Sequence, residues 1–272
     1  MANTPPHPAF ALSVVVPTYN ERDRLAELAD IILAVFTAHQ VPGELVIVDD
    51  NSPDGTGQLA DQLAQTRPIQ VVHRTGKLGL GTAVIEGFAA ARADVLGVID
   101  ADLSHPPSLL PAMLALVERD GFDMVIGSRY IPGGGAADWS ASRLAMSKFA
   151  CSFARALTPV RDATSGFFLI RRSVVEGVAI AAGGFKICLE LLVRSPVTSV
   201  AEVPYVFVGR TAGQSKMNLK EALGYIAQLR LLYGVRFGRG RGPRPRYRRV
   251  PESEVAELGQ ACRLMASARA SR

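Results

Sequence analysis

The stretch Val95-Leu96-Gly97-Val98-Ile99-Asp100-Ala101-Asp102-Leu103-Ser104-His105 sets an apolar run directly against two carboxylates. A short apolar run bounded by polar and turn residues reads as a buried strand. The same figure recurs along the chain. Leu12–Val16 ends in Pro17-Thr18-Tyr19-Asn20-Glu21, Leu45–Val48 ends in Asp49-Asp50-Asn51-Ser52-Pro53-Asp54-Gly55, and Phe122–Ile126 ends in Gly127-Ser128-Arg129-Tyr130. Ile69–Val72 is a further strand. Segments with helical spacing lie between them, clearest in Glu21–Ala38, where Leu25, Leu28, Ile32 and Val35 recur every three or four residues. Others fall near Thr56–Gln65, from Gly76, Gly79 and Gly81 to about Ala91, and over Ser108–Glu118. This alternation predicts an α/β fold, with a mostly parallel Rossmann-like sheet covered by helices on both faces. Ligands of such sheets bind beyond the carboxyl ends of the strands. The polar clusters at 17–21, 49–56, 100–105 and 127–130 are therefore expected to converge on one crevice.

Farther along, helices are expected over Ala141–Ala156, near Ser173–Val178 and Ile187–Val193, and over the amphipathic Leu219–Tyr233. Strands are expected at Gly166–Ile170 and Ser199–Val208. The chain of 272 residues, 48% hydrophobic with mean hydropathy +0.18, has enough apolar material for a sizeable core. Its formal charge of +5 is uneven: residues 236–249 hold seven arginines and no acid, and subtracting those seven leaves the remainder at −2. A general nucleic-acid-binding surface is thereby excluded for the body. Gly and Pro among the arginines predict no regular element through about Arg249. The organisation read from the chain is a leader at 1–11, a single domain at 12–233 and a basic tail at 234–272. Cys151, Cys188 and Cys262 are odd in number and far apart, which fits a reducing cytosol rather than a disulfide framework. The first residues lack the basic start and apolar core of a signal peptide, and no apolar stretch reaches the ~18 residues of a membrane span.

The chemistry begins at Asp100-Ala101-Asp102. Extended residues two apart point the same way, so both carboxylates can face one point, as suits a hard divalent cation shared with substrate phosphates. Taken alone, the pair also reads as a loop start that caps the next helix. Pro17–Glu21 offers an aromatic face and a carboxylate for a base or ribose, or simply a helix start with Asn20 as cap. Asp49–Ser52 offers a ribose or amide contact, or a polar turn. The glycines at 76–81 resemble a phosphate loop without Walker spacing. His73 and His105 are candidate bases, although His105 precedes Pro106-Pro107 and is better explained as shaping the turn. Trp139, the sole tryptophan, follows Gly133-Gly134-Gly135 and reads as a mobile loop contact or as packing.

In combination these segments resemble the inverting family 2 glycosyltransferases of the GT-A fold, and among them the dolichol-phosphate (polyprenol-phosphate) mannose synthases. The resemblance rests on Pro17-Thr-Tyr-Asn-Glu21, Val48-Asp-Asp-Asn-Ser-Pro-Asp-Gly-Thr56, Asp100-Ala-Asp-Leu-Ser-His-Pro-Pro107 and Gly127-Ser-Arg-Tyr130. It continues through Trp139–Ser147, Ser165-Gly-Phe-Phe168, Gly184–Glu190 and Arg210–Lys216, covering about residues 12–232. It implies that Pro17, Tyr19 and Glu21, with Val48 and Asp50, hold the guanosine of GDP-mannose. Asp100, Ala101 and Asp102 would handle a Mg2+ or Mn2+ ion and the diphosphate. Some relatives carry Gln as a third metal ligand where this chain has Ser104, so coordination there would pass through water. Arg129, Arg143 and Ser147 match positions near the sugar and the acceptor phosphate, and Arg210 and Lys216 a loop that closes over the donor. Asp102, Arg129 and Arg210 are the implied catalytic set.

The implied reaction joins mannose to a polyprenyl phosphate. A phosphate acceptor is already ionised, its second pKa lying near 6, so no general base is nominated. A UDP-sugar-dependent polyprenyl-phosphate glucosyltransferase is the alternative enzyme. A lipid acceptor places the protein at the cytoplasmic face of a membrane, peripherally. The arginine tail, with Phe237 and Tyr247 among its basic residues, suits an anionic leaflet or an integral membrane partner; a nucleic-acid contact or a solubilising role are the other readings.

Overall fold

The computed structural model describes residues 10–180, 186–208, 219–238 and 244–270. Its elements run β1 (Leu12–Thr18), α1 (Arg22–Ala38), β2 (Gly43–Asp49), α2 (Thr56–Ala64), β3 (Ile69–His73), α3 (Leu80–Ala90) and β4 (Val95–Val98). After a 3-10 turn at Pro107–Leu109 come α4 (Leu110–Glu118), β5 (Met124–Ser128), the short β6 (Gly135–Ala136), α5 (Ala141–Ala154), β7 (Phe168–Arg171) and α6 (Arg172–Val175). The chain continues with α7 (Ile187–Arg194), β8 (Ser199–Pro204), the short β9 (Val206–Phe207), α8 (Leu219–Gly238), β10 (Arg246–Arg249) and α9 (Glu252–Ala270).

Eight strands form one sheet in the order β10-β8-β5-β7-β4-β1-β2-β3. Only β7 runs against its neighbours β4 and β5; the other pairings are parallel. The chain winds outward from β1 to β2 on one side and to β4 on the other, which opens the crevice between them. Strand β1 is buried on both faces, and its alternation divides the core. Val14 and Val16 join Leu25 and Ile32 of α1, Leu114 and Leu116 of α4 and Leu258 of α9 on one face. Val15 joins Val84 and Phe88 of α3, Leu189 of α7 and Leu229 and Leu232 of α8 on the other. Helix α3 lies close on the sheet because Gly87 faces it: a Cβ there would meet Val15 at 2.4 Å.

The C-terminal segment departs from expectation. Residues 246–249 form the edge strand β10, paired in parallel with β8, and α9 packs Leu258 and Cys262 into the core beneath α4. The alternation Arg246-Tyr247-Arg248-Arg249-Val250 begins just after Pro245, so the helix- and strand-breaking residues lie before the strand rather than in it. Tyr247 turns inward against the core while arginine stems cover the outside. Arg246 lies 4.4 Å over the Phe122 ring, and Arg248 pairs with Glu254 at 2.7 Å and Asp120 at 3.3 Å. Smaller differences follow the same logic: the expected strand at 199–208 is split by Tyr205, and α8 extends to Gly238.

Candidate active site

The loop after β1 is fastened to the loop after β2. The Asn20 amide donates to Ser52 Oγ (3.1 Å), the Glu21 amide to Thr56 Oγ1 (3.0 Å) and the Arg22 amide to Asp54 Oδ2 (3.2 Å). Asp49 is buried and accepts from Thr18 Oγ1, the Ser52 amide and Ser52 Oγ, so it is a structural residue of the turn. Its neighbour Asp50 meets the buried guanidinium of Arg74, which also donates to Glu86 (3.1 Å) and Thr82 Oγ1 (2.6 Å). Tyr19 presents an exposed ring with Lys77 Nζ 4.1 Å from its centroid. Pro17 and Val48 stand opposite each other in the β1–β2 register, at the base of this cradle.

At the end of β4 the two carboxylates differ. Asp102 is 6% exposed and accepts from the Ser104 amide (3.1 Å) and Ser104 Oγ (2.5 Å). Ser104 therefore orients Asp102 directly. Asp100 is one-third exposed at its side chain and rests against Gly166, where a Cβ would come within 2.9 Å of Asp100 Oδ2. Asn20, Asn51 and Leu103 have φ of +59°, +56° and +63°, one left-handed non-glycine residue in each of the loops after β1, β2 and β4. Such backbone costs about 1–3 kcal/mol per residue and persists where surrounding contacts impose it.

Below the carboxylates His105 is buried against Phe167 (5.4 Å, stacked), Tyr205 (5.5 Å) and Phe207 (5.9 Å). Burial lowers its pKa against the opposing pull of Asp100 and Asp102, which keeps the ring neutral and suits a floor rather than a base. The floor reaches Trp139, 5.4 Å from Phe207. Arg129, after β5, lies 5.2 Å from the Trp139 ring, and Arg143 lies 4.3 Å from it. Both Arg129 and Arg143 thus border the one tryptophan.

Arg129 is held by fully buried Asp162, through Nε (2.7 Å), Nη2 (2.8 Å) and the Arg129 amide (3.0 Å). Burial works against its charge, but Asp162 more than offsets this and keeps the guanidinium firmly protonated. The Nε–Nη2 edge is occupied, so the two-pronged face of the Arg129 guanidinium is already engaged inside the protein. Tyr130 donates to Ser147 Oγ at 2.5 Å, and burial pushes its pKa up to about 12. The structure thus gathers Pro17, Tyr19, Glu21, Val48 and Asp50 at one end of the crevice, Asp100, Ala101, Asp102 and Ser104 at its centre, and Arg129, Arg143 and Ser147 beyond. Arg210, Lys216 and Gly184 lie outside the described residues.

Sequence reasoning missed Arg74 and Asp162, and placed Tyr130 in a motif without giving it a role of its own. The first and last stand at strand ends, where the same positional rule applied. Asp162 lies just before the motif at Ser165 but has no spacing signature of its own. Among the described residues no three His, Cys, Asp or Glu side chains form a metal cluster, so the fit for a cation rests on two hard oxygen donors that leave room for phosphate and water.

The sheet, its switch point and the strand-end carboxylates define a GT-A-type glycosyltransferase. Residues 13–178 match Glycosyl transferase family 2, and the chain belongs to that family. It is 38% identical to the dolichol-phosphate mannosyltransferase of Saccharomyces cerevisiae over 83% of this chain and 88% of that protein. It is 39% identical to the polyprenol monophosphomannose synthase of Mycolicibacterium smegmatis, over 82% of this chain and 86% of that one. The dolichol-phosphate mannosyltransferase of Pyrococcus furiosus is 40% identical over 80% of this chain, which spans only 62% of that relative's length. Among solved structures, mannosyl-3-phosphoglycerate synthase from Rubrobacter xylanophilus superposes with a TM-score of 0.62 at 20% identity, covering 86% of this chain and 76% of that one. Glucosyl-3-phosphoglycerate synthase from Mycobacterium tuberculosis gives 0.61 at 22%, covering 84% and 80%. These two likenesses concern the fold.

Proposed function

We propose that this chain transfers mannose from GDP-mannose to a polyprenyl phosphate, with inversion, at a membrane surface. The observation that carries the reading is the placement of Arg129 and Arg143 on Trp139, across a buried aromatic floor from Asp100 and Asp102. One end of the crevice suits a nucleotide diphosphate and the other a second anion. The relatives' names, dolichol-phosphate mannosyltransferase and polyprenol monophosphomannose synthase, agree with a lipid phosphate as that second anion.

Tyr19, Glu21 and Asp50 would hold the nucleoside, with Arg74 fixing Asp50. Asp100 and Asp102 would hold Mg2+ or Mn2+, which supplies charge neutralisation for the departing diphosphate. Ser104 keeps Asp102 turned toward that position. Arg143 and Ser147 would hold the acceptor phosphate, with Arg129 as a rigid positive group beside it, and Arg210 and Lys216 would act from the donor side. The acceptor oxygen attacks as an anion, so these residues align and neutralise two charged partners rather than remove a proton.

A surface for the lipid follows from α5. Arg143 and Ser147 share this helix with Met146, Phe149 and Phe153, which are 45%, 64% and 48% exposed. Helix α8 is fastened alongside, Tyr225 donating to the Ala150 carbonyl (3.0 Å) and Tyr233 to that of Phe153 (2.7 Å). It adds exposed Leu223, Ile226 and Phe237. No described helix is long and apolar enough to cross a membrane, yet this two-helix face is apolar enough to lie on one. It adds a second candidate membrane contact to the arginine segment, whose Arg246 and Arg249 lie on the outside of β10.

The test incubates purified protein with each radiolabelled nucleotide sugar, Mn2+ or Mg2+, and polyprenyl phosphate, and measures label extracted into organic solvent. GDP-mannose should give product, Asp102→Asn should abolish it with an unchanged melting curve, and chelation should stop it. Product from a UDP-sugar alone would transfer the reading to the glucosyl alternative. Full activity in Asp102→Asn would remove the cation site.

A further inference from the structure

Segment 161–166 touches both halves of the active site. Asp162 locks Arg129, and Gly166 supports Asp100. What holds this segment is Glu202 of β8, a fully buried carboxylate. Its Oε2 accepts from the Arg161 amide and its Oε1 from the Asp162 amide, both at 2.9 Å. A third donor completes it: the Tyr247 hydroxyl, 2.5 Å from Oε2. Tyr247 stands on β10, and its register neighbour on β8 is Val200. The C-terminal edge strand is thus connected to Arg129 by hydrogen bonds and one residue: Tyr247 donates to Glu202, the 161–162 amides donate to Glu202, and the side chain of the same Asp162 accepts from the guanidinium.

We propose that Tyr247 is a positioning residue for the transfer reaction, acting through Glu202 and Asp162 on Arg129. A buried carboxylate has a large desolvation cost and is fixed in place only by the donors around it. Removing one of three donors frees Glu202 to rotate or draw in water. Its two amide partners follow, and Asp162 with them. The acceptor end of the crevice depends on this chain more than the nucleotide end, which is braced separately by Ser52, Thr56 and Arg74. The inference rests on the reading of Arg129 as part of the acceptor site.

Tyr247→Phe in the 272-residue chain removes only the hydroxyl. The expected result is a rise of about tenfold in KM for polyprenyl phosphate, the scale of one lost charge-assisted hydrogen bond, with KM for GDP-mannose within about twofold and a cooperative melting curve whose midpoint is lower by several degrees. Trp139, the sole tryptophan, provides a readout independent of catalysis, because it lies against Arg129. Its emission should change in Tyr247→Phe if the arginine moves. Arg129→Lys is measured alongside, and the double variant should be less than additive. If Arg129→Lys raises the acceptor KM while Tyr247→Phe changes neither that KM nor the emission, the positioning role is overturned and the acceptor reading stands. If Arg129→Lys leaves acceptor KM unchanged, the acceptor reading fails and this inference with it. Should Tyr247→Phe not fold, Glu202→Gln, of the same shape, takes its place with the same expected and overturning results.

Discussion

Each cluster of the crevice holds one residue whose environment decides what it can do. Asp102 is buried and given its orientation by Ser104, whereas Asp100 is a third exposed, rests against Gly166 and lies 3.8 Å from His105 Nδ1. The pair therefore combines one fixed and one adjustable oxygen donor, a suitable arrangement for a cation that enters with its substrate. Gly166→Ala tests this. The added methyl would displace the Asp100 carboxylate, and because that group is partly solvated it can swing aside without breaking the core. Transfer should fall by tenfold or more, about the scale seen when support of a metal ligand is lost. More cation should be needed for half-maximal rate, with the thermal midpoint nearly unchanged. Parental cation dependence in this variant would show that Asp100 is not held through this contact.

Among the elements, α5 has the most unusual balance of faces. Only Cys151 and Ala154 are buried along its 14 residues, while Met146, Phe149 and Phe153 face outward. A helix that hides so little and exposes aromatic rings has a second use for that face. Phe149→Ser with Phe153→Ser should cut sedimentation with phosphatidylcholine vesicles containing polyprenyl phosphate by fivefold or more. Burying two aromatic side chains contributes about 1.5–3 kcal/mol each, reduced by the shallow depth of an interfacial helix. Transfer to a short, water-soluble acceptor should persist. Vesicle binding equal to the parent's would assign the face to a protein partner instead.

At the scale of the whole molecule, the C-terminal segment completes the sheet. Strand β10 covers the edge of β8, Val250, Leu258 and Cys262 enter the core, and Tyr247 reaches Glu202. Removing residues 244–272 would expose an apolar strand edge and leave Glu202 short of a donor, conditions that promote aggregation. The truncated protein should elute as higher-order species in size exclusion and melt well below the parent. A monomeric truncation with parental melting would mean that the domain ends before β10.

Much of this architecture was legible in the residue order because strand signals are local. The apolar runs at 12–16, 45–48 and 95–99 and the helical spacing of α1 each depend on a few neighbouring residues, and the rule that ligands bind at carboxyl strand ends then brought Tyr19, Asp50, Asp100, Asp102 and Arg129 to one crevice. Contacts between residues far apart in the chain were decided only by the tertiary structure. Nothing near Arg129 foretells that Asp162 occupies its guanidinium, or near Asp50 that Arg74 braces it. An arginine-rich stretch looks like a tail by composition, yet one inward tyrosine and a vacant sheet edge make it a strand. Local pattern determines which element a segment can form, because backbone geometry repeats over short distances; which charges meet, and which surfaces stay bare, depends on the packing of elements whose separation in sequence has no bearing on their distance in space.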